Sequence, residues 1–469
     1  MHTEFDSVAK TATVVTLALA HALRDRYRCP EKLLEFCVAE GLSAEAEYFQ
    51  FGPGVICYGR HLKGHQEYGI PSRIVDLVSS VVLDGTRVML PFDPDGVVDN
   101  LRFERYAEAR PGGIDRLLKG IYYRVRPFTS RWLRKYIQRL RAGNWRQKQF
   151  PRWPVDTSVE DICEKLLALS IEASGVDGIP FVWFWPDGAR GCVSMTHDVE
   201  TDAGRDFCER LMEIDDSYGI KSSFQIVPEK RYLVSQEFLR GIRDRGFEVC
   251  VQDLNHDGRL FDEREEFLRR VARINSYGRE YGAKGYRSAV LYRKPEWYKD
   301  LEFSYDMSFP NVAHLDPQPG GCCTVMPYFI GDILELPLTT VQDYTLFYLL
   351  NQRSIDLWKQ QIELILAKNG LVSFIVHPDY IQEPEHLAVY RQLLAHLTEI
   401  REPRNLWFAL PGEIDTWWRA RSKMSVVKDG DGWRIEGDGA ERAVLAFARL
   451  ADGQLVYELA TELRAAMPT

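Results

Sequence analysis

Paired cysteines are missing from this chain. Its nine cysteines (Cys29, Cys37, Cys57, Cys163, Cys192, Cys208, Cys250, Cys322 and Cys323) are scattered, odd in number, and form no C-x-x-C pair. The pattern offers no disulfide framework and fits a reducing compartment. Cys322 and Cys323 are adjacent, a spacing that disfavours a bridge between them and reads as a buried thiol pair. A long apolar run is missing too. Residues 14–23 come nearest, but Thr16 and His21 interrupt the run, and Glu4 and Asp6 precede it where a leader would be basic. It is too short to span a bilayer. It reads as a core helix, and the chain as cytoplasmic. Net positive charge is lacking as well: a formal charge of -9 argues against a general nucleic-acid binder, so no nucleic acid is expected as partner. What is present, 45% hydrophobic and 27% charged residues, is ordinary for a globular protein and leaves no room for a wholly disordered one.

A length of 469 residues predicts two or three domains. Residues 1–110 read as a small α+β domain. Helix-like stretches at 8–27 and 30–41 give way to β-rich runs at 48–58 and 79–90, with turn clusters at Gly52, Pro53, Gly54 and at Asp93, Pro94, Asp95, Gly96. No chemical motif falls there. Residues 111–190 read as a basic amphipathic helix and linker. Between Arg116 and Arg152 lie twelve Lys or Arg and no Asp or Glu. Trp132, Leu133, Tyr136, Ile137 and Leu140 recur at helical spacing, with Arg131, Arg134, Lys135, Arg139 and Arg141 among them. Such a helix suits peripheral contact with a membrane or anionic lipid through residues 116–152, or with an acidic polymer. The commoner use of the pattern is a linker helix packed on a neighbouring domain with its charges in water. The segment 150–154 then reads as an ordered linker.

From residue 191 to 421 strand-like and helix-like segments alternate. Strands are predicted at 192–197, 222–227, 248–254, 285–289, 303–309, 333–338, 371–377 and 406–410. Helices are predicted at 203–218, 237–245, 264–281, 354–368 and 385–400. This alternation predicts an α/β fold, a distorted (β/α)7-8 barrel with its chemistry at the carboxyl ends of the strands. Residues 422–469 read as a small C-terminal β appendage of four short strands joined by Asp and Gly turns.

Polar residues collect where those strands end: Thr196 to Glu200, Gln252 to Asp257, Arg287, Asp306, and His377 to Asp379. In a barrel these ends share one mouth. Carboxylates, imidazoles and a guanidinium in one cleft suit metal-assisted hydrolysis of an amide or ester. Carboxylate and imidazole hold a zinc-like ion, a second carboxylate accepts the proton of water, an Arg keeps that carboxylate ionised, and a His protonates the leaving amine.

These motifs resemble the polysaccharide deacetylases of the NodB-homology type (carbohydrate esterase family 4-like) over residues 191–421. Thr196-His197-Asp198-Val199-Glu200 is similar to that family's first motif, and the resemblance implies Asp198 as base and Glu200 as metal ligand. Gln252-Asp253-Leu254-Asn255-His256 resembles the second, implying metal ligands at 252 and 256. Tyr286-Arg287-Ser288-Ala289 resembles the third, in which the Arg braces the catalytic Asp. Tyr305-Asp306-Met307-Ser308 resembles a further element, and Ile375-Val376-His377-Pro378 the last, whose His is the general acid. Two positions depart: Gln252 stands where the family has His, and Ala289 where it has Pro. A Gln carbonyl is a weaker zinc donor than imidazole, so metal affinity is expected to fall.

The resemblance therefore implies an N-deacetylase with a divalent metal, zinc by preference, acting on an acetylated amino sugar or glycan precursor. The alternative is a catalytically inactive relative that binds carbohydrate or serves polysaccharide assembly. Asp306 is set down as orienting a catalytic His or capping a turn, His314 and Asp379 as substrate-binding candidates, and Asp343 as a weaker one. His197, which alternates away from Asp198 along the strand, reads as structural. Trp417 and Trp418 read as core or groove wall.

Overall fold

The computed structural model describes residues 14–19, 21–62, 74–108 and 145–462. The expected basic helix at 131–141, and most of the segment 116–152, lie outside the described residues. The chain divides into two compact units.

The first unit takes residues 1–103, 158–188 and 419–469. Its strands begin with β1 (Val14–Leu19), β2 (Glu35–Ala39), β3 (Glu47–Gln50), β4 (Ile56–Gly59), β5 (Val82–Asp84), β6 (Arg87–Leu90) and β7 (Ile179–Val182). Two expectations are corrected here. The apolar run expected as a core helix is strand β1, followed by a short helix at His21–Tyr27, and the 30–41 stretch is a single 3-10 turn leading into β2. The β-branched run Val14-Val15-Thr16 disfavours helix, and β1 and β2 complete each other as an antiparallel pair in the sheet β1-β2-β6-β5. The expected β-rich runs are present as the hairpins β3-β4 and β5-β6. Helix Ser158–Ser174 buries Val159, Ile162, Cys163, Leu166 and Leu167 on one side, the 3.6-residue spacing of an amphipathic helix.

The second unit takes residues 104–157 and 189–418. Its strands are β8 (Gly191–Val199), β9 (Ser222–Ile226), β10 (Glu248–Gln252), β11 (Gly285–Arg287), β12 (Tyr305–Asp306), β13 (Tyr328–Ile330), β14 (Ile333–Glu335), β15 (Leu371–Ile375) and β16 (Leu406–Phe408). All eight predicted strands are found, each within the predicted stretch or shifted by a residue or two. They form one curled sheet in the order β13-β14-β12-β11-β10-β9-β8-β15, with β16 also on β8. Every pairing is parallel except that of β13, a strand the sequence reading lacked. The five predicted helices appear as Asp202–Ser217, Gln236–Asp244, Arg264–Tyr281, Asp356–Leu366 and Pro384–Arg401. All nine residues of β8 are buried, as a parallel sheet covered on both faces requires. Toward β15 the curl is continued by side chains: Thr339 Oγ1 donates to the Leu371 carbonyl and Thr340 Oγ1 to that of Ser373, both at 2.7 Å.

The last strands, β17 (Ser425–Asp429), β18 (Gly432–Glu436), β19 (Leu445–Ala451) and β20 (Gln454–Leu459), return to the first unit. β19 lies between β20 and β7, so the carboxyl-terminal strands extend a sheet begun before the second unit. Among the described residues no helix is long and apolar enough to cross a membrane. All nine cysteines are free and buried.

Candidate functional site

The two-residue period of β8 sorts its side chains. Thr196 and Asp198 face Arg287 of β11, whose Nη1 donates to Thr196 Oγ1 at 2.9 Å and to Asp198 Oδ1 at 2.5 Å. His197 faces the other way and meets Asp215 Oδ2 at 2.9 Å, where Ser222 and Tyr390 also donate. It is a structural histidine, as the alternation predicts.

Arg287 and Gln252 stand side by side in the register of β10 and β11. Gln252 Nε2 donates to Asp198 Oδ2 at 2.9 Å, so both Asp198 oxygens carry a donor. Gln252 Oε1 is then a buried acceptor with no hydrogen-bond partner among the described residues. Beyond Gln252 the chain turns sharply through Asp253 (φ 49°) and His256 (φ 53°), both in the left-handed region. The turn brings His256 Nε2 to 2.9 Å from Glu200 Oε1. Arg231 fixes the back of this turn, its Nη2 donating to the His256 carbonyl at 2.5 Å and its Nε to that of Asn255 at 3.2 Å.

His377 follows β15. Its Nδ1 lies 2.7 Å from Asp343 Oδ1, its backbone N–H donates to Asp343 Oδ2 at 2.8 Å, and its Nε2 points toward Glu200 Oε1 at 3.6 Å. Glu200 thus sits between two imidazoles. Burial alone pushes its pKa up, but His256 and His377 outweigh burial and hold it well below the usual range. Burial opposes charge on His377, yet Asp343 and Glu200 overcome it and raise its pKa well above that of a free imidazole. Burial likewise opposes charge on His256, and Glu200 raises it.

Among the described residues, Asp198, Glu200 and His377 offer ligand atoms all within 4.8 Å of one another, a group that suits a metal ion. His256, at Glu200, and the unpartnered Gln252 Oε1 border it. Two carboxylates, two imidazoles and a spare amide oxygen fit a divalent cation, because a buried oxygen without a donor is costly unless water or a cation meets it.

The other sequence candidates are placed differently. Asp306 lies in register with Glu335 across β12 and β14 and accepts from Ser308 N and Oγ; burial raises both carboxyls. It caps a turn near Arg287, and among the described residues it hydrogen-bonds neither imidazole. Asp379 accepts from the Glu200 backbone N–H at 3.2 Å and from Thr201 Oγ1, which caps helix Asp202–Ser217. His314 Nε2 meets the Pro151 carbonyl at 2.7 Å and is buried there. Trp417 and Trp418 are buried. Asp343, rated weakly from sequence, holds His377. Arg231 went unnoticed, since no local motif marks a residue whose partner is a backbone carbonyl twenty-five positions away.

About half of the chain has likenesses among solved structures. A Mycobacterium smegmatis protein carrying the name polysaccharide deacetylase is 18% identical over 51% of this chain and 93% of its own, with a TM-score of 0.41. A Pseudomonas aeruginosa protein carrying the same name is 13% identical over 50% of this chain and 93% of its own, with a TM-score of 0.39. PuuE allantoinase is 13% identical over 50% of this chain and 92% of its own, with a TM-score of 0.39. No family model matches the chain, and no curated protein matches it.

Proposed function

We propose that the second unit is a metal-dependent hydrolase that removes an N-acetyl or other N-acyl group from an amino sugar or glycan precursor. The observation that carries this reading is Glu200 set between the imidazoles of His256 and His377, beside an Asp198 whose two oxygens are held by Arg287 and Gln252. Glu200 and His256 would hold the ion, zinc by its donor types, with the Gln252 oxygen completing the set. A divalent cation held there would supply Lewis-acid chemistry, polarising an acyl carbonyl and lowering the pKa of water.

The residues divide the remaining work. Arg287 and Gln252 fix Asp198 in one orientation, and its free lone pairs accept the proton of the attacking water. The C–N bond of the amide breaks as His377 Nε2 gives its proton to the departing nitrogen. Asp343, accepting from Nδ1–H, stabilises the imidazolium, in which Nε2 also carries a proton, and leaves the neutral ring as the Nδ1–H tautomer after the transfer. The products are a carboxylate and a free amine. In this reading Asp306 supports the wall behind Arg287, and His314 and Asp379 take no part in the chemistry.

A second reading is favoured by Gln252 itself. A side chain that replaces an imidazole donor and hydrogen-bonds Asp198 also suits a catalytically silent protein that binds carbohydrate or serves polysaccharide assembly. A cytoplasmic location, with the basic residues between 116 and 152 meeting an anionic lipid surface, belongs to either reading.

Metal analysis of the purified protein, together with amine release from acetylated amino-sugar substrates, separates the two. The hydrolase reading expects bound metal and amine release in wild type, lost in Asp198→Ala. Activity appearing only in Gln252→His would establish the silent reading.

A further inference from the structure

Across β11, β12 and β14 the strand register sets Tyr286, Asp306 and Glu335 in one row on one face of the sheet. Arg287, next to Tyr286 on β11, points to the opposite face, toward Asp198. The row therefore backs the wall on which the site is built. Asp306 and Glu335 are fully buried there. Burial pushes both carboxyls up, and the charge of Asp306 adds to it at Glu335, which is held well above the ordinary range. Of the titratable groups around them, Tyr286, Tyr298 and Cys322 are raised well above their ordinary values by burial and stay neutral, and the nearby charge is that of Arg287.

Their hydrogen bonds are unequal. Asp306 accepts at both oxygens, from the Ser308 backbone N–H at 3.1 Å and from Ser308 Oγ at 2.7 Å. Glu335 Oε1 accepts from the Phe309 backbone N–H at 3.0 Å, while Oε2 is buried and has no hydrogen-bond partner among the described residues. A bare carboxylate oxygen in that place is costly, and two carboxylates in register would repel. One proton on Glu335 Oε2 removes both costs, because it turns the orphan acceptor into a donor for Asp306, the carboxylate with the larger share of donors.

The turn that Asp306 caps also holds Arg287. The Met307 carbonyl accepts from Arg287 Nε at 2.9 Å, and Ser308 Oγ accepts from the Ser288 backbone N–H at 2.8 Å. Side chain and backbone of this arginine are thus both tied to residues 307 and 308, while its Nη1 reaches Asp198 Oδ1 at 2.5 Å. We propose that Glu335 is a positioning residue: it shares one proton with Asp306, and the pair braces the turn that aligns Arg287 on Asp198. The proposal rests on the hydrolase reading only for the use made of Asp198; the shared proton needs no turnover.

Infrared spectra of the full chain and of its Glu335→Gln variant at neutral pH test the proton. The wild type should show the C=O stretch of a protonated carboxyl that the variant lacks, and this comparison stands even where Glu335→Ala does not fold. Urea unfolding of Glu335→Ala, Arg287→Lys and the double variant reads the brace: the residues are coupled, so the loss in the double variant should differ from the sum of the single losses. In amine release, Glu335→Ala should lower kcat on the order of tenfold with little change in KM. Glu335→Gln, which keeps a donor for Asp306 and an acceptor for Phe309, should restore most of the rate. A spectrum unchanged by Glu335→Gln, additive losses in unfolding, or a kcat untouched in folded Glu335→Ala overturns the proposal. A wild type that releases no amine ends the hydrolase reading, and the infrared band and the unfolding cycle still decide the pair.

Discussion

At the scale of single residues the site is a problem of buried charge. Asp198, Glu200 and Asp343 bring three carboxyl groups together beside the Arg287 guanidinium, and the imidazoles of His256 and His377 add to its positive charge. In the proposed mechanism Asp343 is a positioning residue, because its carboxylate holds the His377 ring and backbone. Asp343→Asn keeps the size of the side chain and removes its charge. It should lower the rate of amine release on the order of a hundredfold with little change in KM, since general-acid catalysis contributes at that scale. Initial rates on an acetylated substrate check this, and an unaltered kcat would remove His377 from the mechanism.

At the scale of elements, what positions the site is the close lateral fit of short parallel strands. β11 has only three residues, and its first, Gly285, lies opposite Tyr305 of β12. A Cβ at Gly285 would come 2.3 Å from the Tyr305 ring, and that ring is held by its hydroxyl on Glu248 at 2.6 Å. Glycine is required there for close approach, not for an unusual backbone angle. Gly285→Ala should cost about 1–3 kcal/mol by overpacking. Urea denaturation measures it, and a neutral result would mean that β11 and β12 part without penalty. Since β11 also carries Arg287, metal affinity should fall in the same variant.

At the scale of the whole molecule, the first unit is assembled from three separated stretches of chain. Tyr27 comes from the first, Phe181 from the second and Tyr457 from the third, and Phe181 lies 5.4 Å from each of the other two rings. The buried Arg421 guanidinium repeats the pattern, donating to the carbonyls of Arg26, Val182 and Trp183. Removing residues 425–469 takes away the strand that pairs with β7 and uncovers these rings. Each large apolar side chain is worth about 1.5–3 kcal/mol of burial, so the loss rivals a typical domain's whole margin of about 5–15 kcal/mol. The truncated chain should bind a hydrophobic dye and lose the cooperative melting of this unit; a melt like that of the full chain would show that the last strands are dispensable.

Local pattern settled the alternation of strands and helices between residues 191 and 418, the outward turn of His197, and the polar residues at the strand ends, because periodicity and strand termination are written within a few neighbouring positions. It misassigned residues 14–19, where an apolar run suits helix or strand alike and only the partner strand β2 decides. Nor did it bring β7 and β19 together, place Asp343 on His377, or hold His314 against Pro151. Those pairings join residues distant along the chain through hydrogen bonds whose partners are set by how the backbone folds, and no short stretch of sequence contains that information.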